Sequence, residues 1–445
     1  MFKRVLVANR GEIACRIIRA CRKLGVETVA IHSEADRDSL HVKMANVAIC
    51  IGPAVPSRSY LHIPAIVSAA EISDVDAIHP GYGFLSENGH FADICRSLDI
   101  AFIGPSAAAM AKLSDKARAR ELARASGIPV LPGSDGPVSD DDAALKAARR
   151  IDYPVMVKAS AGGGGRGIRV AHNDDALRVA LSSARAEAEA NFGDGSLYIE
   201  KFLTRPRHVE IQALCDEHGG SVHLGERDCT IQRRHQKLIE ESPSPAIDSR
   251  TRRGMCAAAV KLCRAAGYTN AGTVEFLVED GKYYFMEMNT RIQVEHPVTE
   301  MATGLDLIEE QIRIASGEPL RWRQRDIRRA GHAMEFRINA EDPDNRFAPC
   351  PGRISLFVPP EGPGVRTDSF VYSGYRVTPH YDSLLAKLIV HAGNRAECLE
   401  KSRHALKEFI LEGIRTTIPF HLSMLKNNAF VHSDYDINFV DRLYG

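Results

Sequence analysis

The stretch TVEFLVEDGKYYFMEMNTRIQVEH, Thr273 to His296, carries one turn signal between two runs rich in apolar and aromatic residues. It reads as two strands joined at Glu279-Asp-Gly-Lys282. A two-residue turn on Asp280 and Gly281 would put Glu275 and Glu287 on opposite faces. A three-residue loop centred on Gly281 would set them directly across from each other, with Asn289 on the same face. In that second register two carboxylates and an amide oxygen form a hard-cation site suited to Mg²⁺ beside phosphate oxygens. The plain alternative, an exposed polar face, suffers from like charges opposed across strands unless a cation lies between them. Arg291, Gln293, Val294 and Glu295 follow at once. Arg291 and Glu295 could be a surface ion pair of little consequence, but after a metal pair they read as an anion holder and a general base.

Upstream, KASAGGGGRGIRV occupies Lys158 to Val170. Gly162, Gly164 and Gly167 satisfy G-x-G-x-x-G, a pattern that signals dinucleotide binding only between a strand and a helix. Here Gly167-Ile-Arg-Val-Ala171 is short and β-branched, so the segment reads as a hairpin with a glycine tip, a flap over a ligand or a surface turn. No Gly-Lys-Ser/Thr closes it, which removes a P-loop. Lys158 alternates with Val155 and Val157 and leaves their apolar face, where a point charge beside a glycine flap suits phosphate.

The rest of the chain bounds these local readings. Its 445 residues imply two to four domains. A hydrophobic share of 44% with 26% charged residues is that of a globular protein. Lys plus Arg and Asp plus Glu balance at 57 each, which argues against a dedicated nucleic-acid binder. Ten cysteines without a C-x-x-C pair indicate neither a zinc ribbon nor a disulfide framework. With no signal peptide and no membrane-length apolar run, a cytoplasmic protein that does not enter a membrane is expected.

Strand and helix alternate through the first third: strands at Arg4–Ala8, Thr28–Ile31, Asp76–His79 and Ile100–Ile103, helices at Glu12–Leu24, Pro64–Glu71 and Phe91–Leu98. That is a doubly wound parallel sheet. A helix beginning at Ser114 or Asp115 carries Lys116. A compact unit over about 131–203 holds the glycine hairpin, two Ala-rich helices and the strand Leu197–Glu200. Longer strands follow at His208–Cys215, Ser221–Arg227, Thr273–Val278 and Tyr283–Asn289, then a strand-rich final segment with helices near Ala396–Phe409 and Thr417–Lys426. Read alone, Glu226–Lys237 is a solvated charge run, and Arg321-Trp-Arg-Gln-Arg-Asp-Ile-Arg-Arg329 is a solvated connector.

Lys116, Lys158 with the glycine flap, the strand end Glu200-Lys-Phe-Leu203 and Glu275/Glu287/Asn289 occur in an order that resembles the ATP-grasp superfamily, in which ATP lies between two α+β lobes under a glycine-rich lid. Segments 5–13 (VLVANRGEI), 79–88 (HPGYGFLSEN), 226–237 (ERDCTIQRRHQK) and 287–300 (EMNTRIQVEHPVTE) are similar to the biotin carboxylase family, and the likeness covers essentially the whole chain. The resemblance implies an N-terminal Rossmann-like domain over 1–114, an ATP-grasp region over 115–330 with a lid at 131–203, and a biotin carboxylase C-terminal domain over 331–445. It implies that Lys116, Lys158, Glu200, Lys201, Leu203, His208, Gln232, His235 and Leu277 hold ATP, with Gly164, Gly165 and Arg166 in the lid. Glu275, Glu287 and Asn289 would bind Mg²⁺, or Mn²⁺ in its place. Arg291, Gln293 and Val294 would position bicarbonate, Glu295 would deprotonate it, Lys237 would pair with the anion, and Arg337 would stabilise the biotin anion.

One departure is Ala161, where a further glycine is common. No Met-Lys-Met biotin-accepting hairpin is present, so the resemblance implies biotin on a separate biotin carboxyl carrier protein, carboxyltransferase subunits as further partners, and a multi-subunit assembly such as acetyl-CoA carboxylase in fatty acid biosynthesis. It also implies a homodimer, with Arg19 and Arg366 as candidate contributors. A carbamoyl-phosphate-synthetase-like ligase would share the ATP and metal residues without the full Arg-Ile-Gln-Val-Glu-His segment. A non-catalytic nucleotide sensor would have lost Glu295, Arg291 or a metal carboxylate.

Overall fold

The structure is a computed structural model that describes residues 1–134, 136–159, 169–192 and 195–444. The flap residues Ala161, Gly162, Gly164, Gly165, Arg166 and Gly167 lie outside the described residues. The chain forms two compact units, one of residues 1–128, 207–283 and 287–445, the other of 129–206 and 284–286.

The N-terminal part of the first unit is a five-stranded sheet of β1 (Arg4–Val7), β2 (Glu27–Ser33), β3 (Val47–Gly52), β4 (Ala77–His79) and β5 (Ala101–Phe102). Its order is β3-β2-β1-β4-β5 and every pairing is parallel, as the alternation of strands and helices predicts. Central β1 is buried on both faces, so Val5, Leu6 and Val7 form the continuous apolar run such strands require. Helix Gly11–Lys23 buries Ile13, Ile17 and Ala20, the face expected from their spacing. The edge strand β3 is half exposed and escaped the sequence reading.

In the second unit β6 (Val155–Ala159) is the middle strand between β7 (Arg169–Ala171) and β8 (Leu197–Lys201). Val155 pairs with Ala171 and Val157 with Arg169, so the strands flanking the glycine segment run antiparallel, which is the hairpin and not a Rossmann turn. Helices Asp141–Ile151 and Asp174–Phe192 bring Leu145, Ala148, Leu177 and Leu181 onto Val155, Val157, Leu197 and Ile199.

The first unit continues with an eight-stranded sheet. Its strands are β9 (Arg207–Cys215), β10 (Ser221–Arg233), β11 (Gln236–Ser242), β12 (Asn270–Glu279), β13 (Lys282–Asn289), β14 (His332–Asn339), Val365–Ser369 and Leu384–Ala392. The order is β13-β12-β9-β10-β11-β14, then Leu384–Ala392 and Val365–Ser369. Met334, Phe336 and Ile338 of β14 join Leu388, Val390, Phe420 and Phe430 in the C-terminal core. Alternation therefore sends Glu335 and Arg337 to the other face.

Two expectations need correction. Glu226–Arg233 is no solvated run: it is the interior of β10, and Glu226, Arg227, Asp228 and Cys229 are at most 2% exposed. Its charges are paired across neighbouring strands, information that composition does not carry. The turn between β12 and β13 is the two-residue Asp280–Gly281, both at positive φ (51° and 73°), rather than the three-residue loop that would oppose Glu275 and Glu287.

Candidate active site

β9, β10, β11, β12 and β14 converge on one buried polar cluster in the first unit. Lys237, second residue of β11, reaches Glu295 at 2.6 Å, Glu210 at 2.7 Å, and Glu275 and Gln293 at 3.1 Å each. Arg337 of β14 donates to Glu295 Oε2 at 2.9 Å and through Nε to Glu240 Oε1 at 2.6 Å. Glu295 thus has a cation on each oxygen. It also occupies the N-cap position of helix His296–Thr303, without a side-chain cap, where the helix dipole favours a negative charge. Burial opposes ionisation of Glu295, but Lys237 and Arg337 hold its carboxyl far below the usual range. Lys237 is raised well above an ordinary lysine: burial opposes the charge, and the surrounding acids, Glu210, Glu275 and Glu295 among them, outweigh it.

Glu275 accepts from Asn289 Nδ2 at 2.7 Å and from Gln293 Nε2 at 3.0 Å, and its other oxygen lies 2.9 Å from His208 Nε2. Despite burial, Lys237 and His208 hold it ionised. Asn289 Oδ1 accepts from Arg291 Nη2 at 3.1 Å, and Arg291 Nε donates to Glu87 Oε2 at 3.1 Å. Glu287 pairs instead with Lys116 at 2.9 Å. Lys116 is the first residue of helix Lys116–Ala125, and Asp115 caps that helix through the amides of Ala117 and Arg118. The structure therefore brings Glu275, Asn289, Arg291, Gln293, Glu295, Lys237 and Arg337 into one network, with Glu287 and Lys116 as a separate pair.

Of the remaining nucleotide candidates, His208 and Leu277 are register partners on β9 and β12. Gln232 is buried on β10, and His235 sits exposed in the turn before β11 at φ 66°. In the second unit Lys158 meets Glu200 at 2.5 Å, Lys201 donates to the Asp152 and Tyr153 carbonyls, and Leu203 is buried. The backbone carbonyl of Val294 accepts from the buried Lys387 at 2.7 Å.

Glu275, Glu287 and Asn289 carry oxygen atoms of the kind a hard divalent cation takes, and Glu275 is kept ionised, but Glu287 stands apart on Lys116 while Asn289 turns its amide nitrogen to Glu275. Around them the buried carboxylates Glu210, Glu240, Glu275 and Glu295 face the fully buried Arg227 and the partly exposed Lys237 and Arg337, with Arg291 beside Asn289.

Sequence reasoning passed over several members. Glu210, fully buried, joins Lys237 to Arg227, whose guanidinium also donates to Gln212, Thr299 and Thr273. A signal existed: from His208 to Cys215, His208, Glu210 and Gln212 put a polar residue at every second position of an otherwise apolar run. Glu87, Glu240 and Glu335 carried no local signal. Arg366, a candidate for a subunit contact, pairs within the chain with Glu300 at 2.7 Å and Asp368 at 2.6 Å, while Arg19 is exposed.

Residues 115–323 match the family model described as carbamoyl-phosphate synthase L chain, ATP binding domain, which sets the protein among the ATP-grasp ligases. Residues 1–110 and 335–442 match the biotin carboxylase N-terminal and C-terminal domains. Over 443 residues the chain is 54% identical to biotin carboxylase 1 of Bacillus subtilis, covering 99% of this chain and 98% of that one. The biotin carboxylase–βγ-ATP complex of Campylobacter jejuni superposes with a TM-score of 0.91 at 49% identity over 99% of both chains. The biotin carboxylase domain dimer of Hydrogenobacter thermophilus 2-oxoglutarate carboxylase, in complex with MgADP, ADP and bicarbonate, gives 0.89 at 47% identity over 99% of this chain and 98% of that one. The chain belongs to the biotin carboxylase family, ATP-dependent ligases that carboxylate biotin. Among the described residues no helix is long and apolar enough to cross a membrane.

Proposed function

We propose that this chain uses ATP and bicarbonate to carboxylate biotin presented on a separate carrier protein, the first half-reaction of a multi-subunit biotin-dependent carboxylase. The observation that carries the residue assignment is Glu295, an ionised carboxylate clasped between Lys237 and Arg337 at 2.6 and 2.9 Å. In that clasp Glu295 is a weak base. An entering bicarbonate competes for Lys237 and for Arg291, and as these cations turn to the substrate the proton affinity of Glu295 rises. Glu295 then takes the bicarbonate proton, and the carbonate oxygen attacks the γ-phosphate of ATP to give carboxyphosphate and ADP. Gln293 and the Val294 backbone orient the anion.

Mg²⁺, when bound, would neutralise phosphate charge, and Glu275, Glu287 and Asn289 would hold it. Lys116, Lys158, Glu200, Lys201, Leu203, His208, Gln232, His235 and Leu277 would hold the nucleotide, and Gly164, Gly165 and Arg166 would cover its phosphates. The bond between the carboxyl carbon and the phosphate oxygen of carboxyphosphate then breaks: phosphate leaves and takes the biotin N1 proton, and the carboxyl carbon bonds to N1, whose anion Arg337 stabilises once it is released from Glu295. Glu240 keeps Arg337 in place through that exchange.

The test is ADP release by the purified chain with Mg²⁺-ATP and bicarbonate, with and without free biotin. Bicarbonate-dependent release that biotin stimulates, and that Glu295→Ala or Arg337→Ala abolishes, is the expected outcome. Release stimulated by ammonia and indifferent to biotin would assign another ATP-grasp ligation.

A further inference from the structure

The basic segment Arg321–Arg329 has no part in this chemistry, and it is not a free connector. The Gln324 side chain bonds the His223 backbone in both directions, accepting from its amide at 2.9 Å and donating to its carbonyl at 3.0 Å. Further along, Arg329 meets the buried Glu226 at 2.5 Å, and Arg252 meets its other oxygen at 2.6 Å. The register of β10 against β9 breaks between His223 and Glu226. Gly225 lies in that break at φ 89°, and a Cβ there would stand 2.5 Å from Arg329 Nη1. The strand therefore gives up both a regular pairing and a side chain to let Arg329 cross it.

These features frame a cavity of about 510 Å³ whose lining includes His223, Arg252, Arg253, Lys261, Arg264 and Arg329. The helix Ser249–Ala266 supplies four of them, and no carboxylate lines the cavity. Glu226 beneath it is already shared by two arginines, and among the described residues Arg253, Lys261 and Arg264 have no carboxylate at ion-pair distance. His223 Nδ1 is buried without a hydrogen-bond partner among the described residues. Cys256, Ala257 and Val260 add an apolar strip to the wall. Like charges crowded around a concavity raise its affinity for an anion, and guanidinium forks match phosphate oxygens. The volume is in the usual range for organic ligands, roughly 300–1,000 Å³, and far exceeds what an inorganic ion fills.

We propose that this cavity is a second ligand site, for a phosphate ester of a small organic molecule. Its phosphate lies on Lys261 and Arg264, one helical turn apart, and its organic part lies along Val260, Ala257 and Cys256 towards Arg253. The site faces away from the catalytic cluster: Glu226, beneath it, pairs with its Arg252 and Arg329, while the next residue, Arg227, turns to Glu210.

Hexyl phosphate, inorganic phosphate and hexanol serve as probes for the full chain, with hydrogen exchange followed over residues 221–225, 252–264 and 324–329. Hexyl phosphate is expected to slow exchange in all three segments, binding about tenfold tighter than inorganic phosphate. Arg253→Glu with Lys261→Glu should weaken it by at least about tenfold while leaving basal ADP release unchanged. Arg264→Gln is the second variant, should the double substitution unfold the helix. Equal binding of inorganic phosphate would reduce the site to a nonspecific anion patch and overturn the ester assignment. Hexanol matching hexyl phosphate, protection that survives both variants, or no protection at all would overturn the site itself.

Discussion

Glu240 and Glu241 are consecutive residues of β11, at most 2% exposed, and they have opposite fates. Glu241 points to the C-terminal core. There it pairs with His332 Nε2 at 2.7 Å and with Arg395 at 2.7 and 3.2 Å, and it accepts from Tyr435 at 2.7 Å. Burial disfavours its charge, but His332 and Arg395 hold its carboxyl far below the ordinary range. Glu240 points to the catalytic cluster, directly across from the buried Glu335. It has Arg337 on one oxygen and, among the described residues, no partner on the other, and burial pushes it up to about 7 against the pull of Arg337. Among the described residues Glu335 has no partner on either oxygen, and burial raises it well above its usual value. Burial is common to both faces of the strand. What separates the two faces is whether the charges are fully matched, and incompletely matched buried charges are the kind that gather where ligands bind.

Three measurements press on that contrast. Lys237→Met should lower kcat by about 10²–10³-fold, since it removes the cation positioned for the reacting anion. A variant of near wild-type rate would show that Lys237 only balances carboxylates. Glu241→Gln should leave kcat per folded molecule intact and cost about 3 kcal/mol in urea unfolding at neutral pH, because Arg395 and His332 lose a buried partner. A depressed carboxylate contributes stability above its unfolded value of 4.5 and loses it as pH falls. The gap between wild type and Glu241→Gln should therefore close on acidification. A gap that widened in acid would mean that Glu241 is not the ionised member of its network.

Glu240→Gln has the opposite sign and the smallest effect. A raised carboxyl contributes stability below 4.5 that is lost as pH rises to about 7. The stability of this variant relative to wild type should then rise by about 1 kcal/mol from weakly acid to weakly alkaline pH. A flat difference would place the unsettled proton elsewhere, with Glu335 the first alternative.

Much of this was legible in sequence. Alternation in the first third gave the parallel sheet, and the β-branched residues after Gly167 gave an antiparallel hairpin where a glycine pattern alone suggested a Rossmann turn. The segment Arg291–Glu295 was recognisable because its polar residues follow a metal-type hairpin. The edge strand β3 was missed, since half-exposed residues such as Val47 and Ala48 leave no sharp period. The charged run on β10 was misjudged in isolation, and Glu210 was overlooked although its strand alternates cleanly. In both cases the side chain that explains the residue lies on another strand.

The sequence by itself determined the order of elements, their periodicity and the stock of charged residues, because these depend on steric and hydrophobic preferences within a few residues. Tertiary structure decided the turn at Asp280–Gly281, the face each charge occupies and the separate pairing of Glu287 with Lys116. It also decided that Glu210, Lys237, Glu275, Glu295 and Arg337 meet in one buried cluster. Those residues come from five separate stretches of chain. Only strand register and shared exclusion of water bring them within hydrogen-bond distance and set which of their protons are held.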